Sequence, residues 1–194
     1  GDRKLKDGQD ELTVRFESAD INGVQLIKTY TFKRGSHVIG VKHDVVNKGS
    51  VPVSPQLYMQ LVRDGNKPAG ESSFYSTFTG PAVYTEAKKY QKVEFSDIEK
   101  NKAKLPGTQQ KDSPTWIAIV QHYFASAWIP SNSFQKDLYV GKLENNQYRI
   151  GVQSKLETLG VGQEKTETLK LFVGPQEEQV LEKIAPGLEL VKDY

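Results

Sequence analysis

Residues 116–129 have the sequence Trp116-Ile-Ala-Ile-Val-Gln-His-Tyr-Phe-Ala-Ser-Ala-Trp-Ile129, a stretch that is apolar on both of its faces. β-branched and aromatic residues dominate it, and Pro114 and Pro130 flank it. This composition favours one or two central β-strands over a helix. We expect the stretch to form the heart of the hydrophobic core.

Around it, apolar and polar residues alternate with a period of two, which is typical of half-buried strands. In residues 51–61 one face is apolar and the other carries Gln56, Tyr58 and Gln60. Further strands are predicted at 12–16, 24–32, 37–46, 138–142, 148–156 and 166–173. Asn22-Gly23 and Asn145-Asn146 suit tight turns between them. The sequence therefore predicts an all-β fold of antiparallel strands, a sandwich or a barrel.

Residues 175–185 predict a helix, which Pro175 begins and Pro186-Gly187 ends. Its apolar stripe consists of Val180, Leu181 and Ile184. The stripe could cap the open end of the sandwich or dock the domain against another part of the protein. We divide the chain into a sandwich, 1–174, and a helix with a linker, 175–194. The polar residues 97–113 predict a loop that opens with a short helical turn.

The chain has 194 residues, with 26 basic and 24 acidic side chains and no cysteine. Its length suggests one domain. The missing cysteine excludes disulfide scaffolds, cysteine zinc sites and thiol catalysis. The clustered basic footprint of a nucleic-acid binder is missing, as are the nucleotide-binding and hydrolase motifs. We therefore expect no nucleic acid, no metal and no cofactor.

The three histidines are the candidates for chemistry. His37 and His43 share a strand face but lie about 20 Å apart, too far to share a metal. His122, with Tyr123 and Tyr84, marks a candidate cleft, where the histidine could act as a general acid on a sugar. The alternative is a hydrogen-bonded core histidine. The aromatic residues Phe74-Tyr75, Phe78 and Tyr84 could line a peptide groove or simply pack in the sheets.

Three segments match a known family in order and spacing. They are Phe78–Tyr84 with Lys89–Ile98, Trp116–Pro130, and Leu171–Pro175 with Ala185–Tyr194. Together they resemble the large periplasmic domain of the YidC insertase family of Gram-negative bacteria, from about Thr31 onward. The block Tyr-Phe-Ala-Ser-Ala-Trp-Ile-Pro130 is the most specific part.

The resemblance implies an antiparallel β-supersandwich, similar in architecture to sugar mutarotases, with a short C-terminal α-helix. It implies a non-catalytic domain on the periplasmic side of the bacterial inner membrane, in a multi-pass insertase and chaperone. Asp193-Tyr194 would precede the second transmembrane helix, and Gly1 would start inside the family domain.

The partners that the resemblance implies are SecD–SecF and the Sec translocon, nascent membrane proteins, and the protein's own transmembrane part. Contacts would use the C-terminal helix, exposed strand edges and the 64–115 region. An alternative from another class is a carbohydrate-binding or aldose-mutarotase-like sandwich, and a third is a peptide-binding sandwich with an open apolar groove.

Overall fold

A computed structural model describes residues 8–18, 22–66 and 78–192. Their strands are β1 (Glu11–Glu17), β2 (Val24–Lys33), β3 (Val38–Asn47), β4 (Gln56–Asp64), β5 (Gly80–Thr85), β6 (Lys89–Lys92), β7 (Thr115–Val120), β8 (Phe124–Ile129), β9 (Gln135–Leu143), β10 (Gln147–Lys155) and β11 (Glu164–Pro175). Their helices are α1 (Phe95–Glu99), α2 (Glu178–Ile184) and a 3₁₀ helix (Leu188–Val191).

The strands form two sheets that pack face to face. The large sheet has the order β1-β2-β3-β11-β8-β7-β5-β6, and the small sheet has the order β4-β10-β9. Each pairing between these strands is antiparallel. The predicted all-β, antiparallel supersandwich with a short C-terminal helix is confirmed.

The apolar stretch 116–129 forms the hairpin β7–β8 at the centre of the large sheet. Every residue of β7 is buried, because one of its faces meets the small sheet and the other is covered from outside. The turn closes where the Gln121 N–H donates to the Phe124 carbonyl, 2.8 Å away. Of the two predicted alternatives, one central strand or two, the structure shows two.

The main core lies between the two sheets. It packs Val41 and Val45 of β3 and Ile117 of β7 against Ile150 and Val152 of β10, each no more than 1% exposed. Fully burying such a side chain is worth about 1.5–3 kcal/mol. The period-two alternation of the sequence thus translates directly into this inter-sheet layer.

The turn residues behave as predicted from the sequence. Asn22 and Gly23 have φ values of 52° and 82°, and Asn145 and Asn146, between β9 and β10, have 59° and 56°. Asparagine and glycine tolerate this left-handed conformation better than other residues.

The alternating residues 51–61 are only partly a strand. β4 begins at Gln56, and Val53 forms an isolated bridge with Leu159.

Two predictions about the C-terminal helix are wrong. Pro175 does not begin the helix, because β11 continues through this residue and pairs it with Phe124; α2 starts at Glu178. Nor does the helix cap an open end of the sandwich. Instead, α2 lies on the outer face of the large sheet, where Leu181 packs in one cluster with Trp116 and Phe172.

Candidate functional site

The C-terminal segment, residues 178–191, covers the outer face of the large sheet. Leu181 and Leu188 are fully buried and Val191 is 1% exposed, in one cluster with Trp116 and Phe172. This apolar layer, which we call the outer cluster, is separate from the main core and lies on the opposite side of the large sheet. The segment is therefore an integral third layer of the fold.

A glycine allows the segment to approach the sheet this closely. Gly187 has a φ of 74° and precedes the 3₁₀ helix. A Cβ atom at this position would overlap the ring of Tyr84. That ring stacks on Trp116, with centroids 5.7 Å apart and planes 8° apart. The Trp116 indole N–H in turn donates to the Pro186 carbonyl, 2.7 Å away, so the sheet and the segment are tied together at this point.

The structure divides the three residues that we predicted as one contacting stripe. Leu181 is fully buried against the sheet, Ile184 packs partly against the same cluster, and Val180 is 43% exposed. Leu190 of the 3₁₀ helix is also exposed, at 47%. We call Val180 and Leu190 the outer pair. The segment thus has buried side chains that anchor it to the sheet and apolar side chains that remain exposed.

The structure does not bring the candidate cleft together. His122 and Tyr123 lie in the turn between β7 and β8, with ring centroids 3.9 Å apart, and Tyr123 is 70% exposed. Tyr84 is buried and stacks on Trp116. Trp116 precedes His122 by six residues, which corresponds to about 20 Å of extended chain, so Tyr84 lies far from His122. The tight turn interrupts the alternation that would place His122 on a core face.

His37 and His43 do not share a strand face either. β3 begins only at Val38, and the preceding His37 is exposed, with its ring 6.5 Å from Phe172 of the outer cluster. His43 points between the sheets and is 4% exposed. Burial, together with the positive charge of Lys28, lowers the pKa of His43 from 6.5 to about 4, against the opposing effect of Asp44.

Sequence reasoning missed a buried polar group in the main core. Glu167 of β11 lies opposite His43, while Lys136 of β9 lies opposite Ser154 of β10, and all but His43 are fully buried. Burial raises the pKa of the Glu167 carboxyl, although Ser154 and the charge of Lys136 act to lower it. Burial also lowers the pKa of the Lys136 ammonium group. The alternation of β9 is the signal that could have found Lys136, because it places this residue on the same face as Leu138.

A partly exposed apolar surface lies at the β1 edge of the large sheet. Opposite residues in this antiparallel pair share a face, and the pairs Leu12–Phe32 and Val14–Tyr30 belong to the face that carries the main core. Phe16 packs edge-on against Tyr30, 5.8 Å between centroids. We call these five residues the apolar shelf; Phe16 is 49% and Phe32 36% exposed.

The aromatic groove gains no support from the described residues. Phe78 and Tyr84 pack in the outer cluster, and Phe74-Tyr75 lie outside the described residues. Within 8–18, 22–66 and 78–192, no group of three or more His, Asp or Glu side chains is arranged to hold a metal ion. No helix in these ranges has the length and apolar character needed to cross a membrane.

Solved structures with a similar fold include a galactose mutarotase-like protein and an alpha-galactosidase. A galactose mutarotase-like protein from Lactobacillus casei matches with a TM-score of 0.54 at 12% identity, over 86% of this chain and 70% of that chain. A GH36 alpha-galactosidase from Geobacillus stearothermophilus matches with a TM-score of 0.52 at 13% identity, over 91% of this chain and 26% of that chain. At such low identity, these matches show the sandwich architecture alone.

Comparison of sequences is far more specific. "Membrane protein insertase YidC" from Cupriavidus necator is 53% identical over all 194 residues, and the protein of the same name from Burkholderia thailandensis is 50% identical. The chain spans about a third (34%) of the length of each relative. The family model of the YidC periplasmic domain matches residues 1–194. The chain therefore belongs to the YidC periplasmic domain family of membrane protein insertases.

Proposed function

We propose that this chain is a non-catalytic interaction and scaffold domain on the periplasmic side of the bacterial inner membrane, within a multi-pass insertase. In this role it contacts SecD–SecF and the Sec translocon and supports the insertion and folding of nascent membrane proteins. Family membership supports the insertase setting. The relatives are named as an insertase and not as a sugar-converting enzyme.

The observation that carries the proposal is the two-sided C-terminal segment. Leu181 and Leu188 anchor it to the sheet, while Val180 and Leu190 remain exposed at 43% and 47%. Exposed apolar side chains on a fixed support suit docking, because little conformational entropy is lost when a partner covers them. Neighbouring parts of the same protein or a translocon subunit would fit this surface.

The test separates the exposed pair from the anchor. In the full-length insertase, replacing both Val180 and Leu190 by Asp should impair insertion of a dependent membrane protein and reduce co-purification of SecD–SecF. The free energy of unfolding of the 194-residue chain should stay within about 0.5 kcal/mol of wild type, because both side chains are exposed. The matched control is Val161→Asp, since Val161 is 56% exposed and lies outside the segment.

Deletion provides a coarser ranking. Removing residues 175–190 should impair insertion far more than His122→Ala, because His122 lies in a surface turn. Equal losses in the two variants would contradict the ranking. Normal insertion and normal SecD–SecF recovery in the variant with both Asp substitutions would refute the docking role of the segment.

The apolar shelf supports the chaperone part of the proposal. Phe16 and Phe32 present partly exposed rings beside half-buried Tyr30, and such a surface can hold an apolar segment for a time. A photo-reactive amino acid at Phe16 should cross-link to a nascent membrane protein, whereas the same group at exposed Tyr123 should not. Equal yields at both positions would remove the support for binding at the shelf.

A further inference from the structure

A cavity of about 280 Å³ lies where the C-terminal segment meets the outer face of the large sheet. Ile184 and Pro186 form one wall and Ile129 of β8 another, while Thr168 and Lys170 of β11 border it from the strand side. Thr168 and Lys170 are exposed, so the cavity is open toward solvent. It is distinct from both the outer pair and the apolar shelf.

Its size limits what can enter. Sites for drug-sized ligands and cofactors usually measure about 300–1,000 Å³, and this cavity lies just below that range. It can accept one large side chain or two small ones more readily than a complete cofactor. The occupant that fits best is therefore a short piece of polypeptide.

Its chemistry limits the occupant further. Among the described residues that line the cavity, Lys170 is the one charged side chain, and its other walls are largely apolar. We propose that this cavity docks a short segment of a partner protein, which inserts an apolar side chain and places an adjacent Asp or Glu carboxylate at the Lys170 ammonium. The single positive charge beside apolar walls complements that pairing and disfavours a basic segment.

The cavity is also coupled to the C-terminal segment. The Pro186 carbonyl, in its wall, accepts the hydrogen bond from the Trp116 indole N–H at 2.7 Å. A side chain that enters beside Pro186 will change the environment of this indole. The inference deepens the proposed function and rests on it for the partner setting, since it names the chemistry of a docked segment.

The two tryptophans of the chain allow a direct test. Trp116 borders the cavity, whereas the Trp128 indole N–H donates to the Gln60 carbonyl on the inner face, 3.2 Å away. We would titrate the ¹⁵N-labelled 194-residue chain with the peptide acetyl-Gly-Leu-Glu-Gly-amide at millimolar concentration and follow both indole signals. The Trp116 signal should shift with saturation while the Trp128 signal stays in place.

Two further peptides and two variants make the result decisive. Replacing Leu in the peptide by Gly, or Glu by Lys, should raise the Kd at least about threefold, as expected for loss of an apolar contact or a surface ion pair. Lys170→Glu should remove the preference for the acidic peptide. Lys42→Glu, the same charge change opposite Thr168 but outside the cavity lining, should keep it.

The proposal is overturned if all three peptides bind equally, if both indole signals move together, or if no signal moves. It is also overturned if Lys42→Glu abolishes the preference as fully as Lys170→Glu, because general electrostatic attraction would then explain binding. The titration measures docking in the chain itself, so its failure would leave the insertion test of the outer pair unaffected.

Discussion

His43 should make the fold measurably less stable in mild acid. Its imidazole lies between the sheets, with Lys28 and Glu167 opposite it on the neighbouring strands and Asp44 beside it in sequence. Burial and Lys28 lower its pKa from 6.5 to about 4, against the opposing effect of Asp44. The folded chain therefore takes up the proton less readily than the unfolded chain.

The sign and size follow from proton linkage. A base whose pKa is lower in the folded state favours folding fully above its unfolded pKa, and this contribution is lost as the pH falls toward the folded pKa. Since one pKa unit is worth about 1.4 kcal/mol, the change from 6.5 to about 4 makes at most about 3 kcal/mol available. About 2 kcal/mol of it should be lost by about pH 5.

The assay is urea unfolding of the 194-residue chain at several pH values between 7 and 5, with and without His43→Gln. Glutamine cannot take up a proton in this range, so the free energy of unfolding of the variant should fall by about 2 kcal/mol less than that of wild type. His37→Gln, which removes an exposed imidazole, is the control and should follow wild type. A difference between wild type and His43→Gln that stays constant from pH 7 to pH 5 would refute the reasoning.

Three other predictions test the packing at two positions and a hydrogen-bonded carboxyl at a third. Leu181→Ala should cost about 2–5 kcal/mol in urea unfolding, because it leaves a cavity under the C-terminal segment, while its exposed neighbour Val180→Ala should cost under about 0.5 kcal/mol. Gly187→Ala should destabilise the chain through its positive φ and the ring beneath it, whereas Gly107→Ala has open space and should not. Glu99→Gln should lower the stability of the fold at neutral pH but not in acid. Hydrogen bonds from Lys142 and Tyr148 lower the pKa of the Glu99 carboxyl, so its carboxylate stabilises the fold only where it is ionised. Thermal melts at neutral and at acidic pH measure this difference.

The strands could be predicted from the sequence because two local signals agree. Alternation predicted the apolar face of the strand that became β4, and residues that tolerate positive φ, such as Asn145 and Asn146, marked the turns. Both signals act over a few residues, so they need no knowledge of the tertiary structure. Because both signals are local, they locate strands well but contain no information about which sheet a strand joins.

The candidate site was harder to predict because it depends on contacts that are distant in sequence. His122 belongs to an apolar run, and the pairing of β7 with β8, in which Ile117 lies opposite Trp128, shows that the chain reverses there. The burial of Leu181 depends on Trp116, 65 positions earlier in the numbering of the chain. Alternation and helical periodicity describe an element by itself and carry no information about the surface that receives it.

The C-terminal segment shows why stability and function must be measured together in this domain. Deleting it would expose Trp116 and Phe172, and uncovering a large apolar side chain costs about 1.5–3 kcal/mol. A deletion that stops insertion could therefore act by unfolding the domain and would not by itself identify a docking surface. Val180 lies one residue from Leu181, yet it is 43% exposed while Leu181 is fully buried. Replacing Val180 can thus remove a contact with a partner and leave the fold intact, which deletion cannot do.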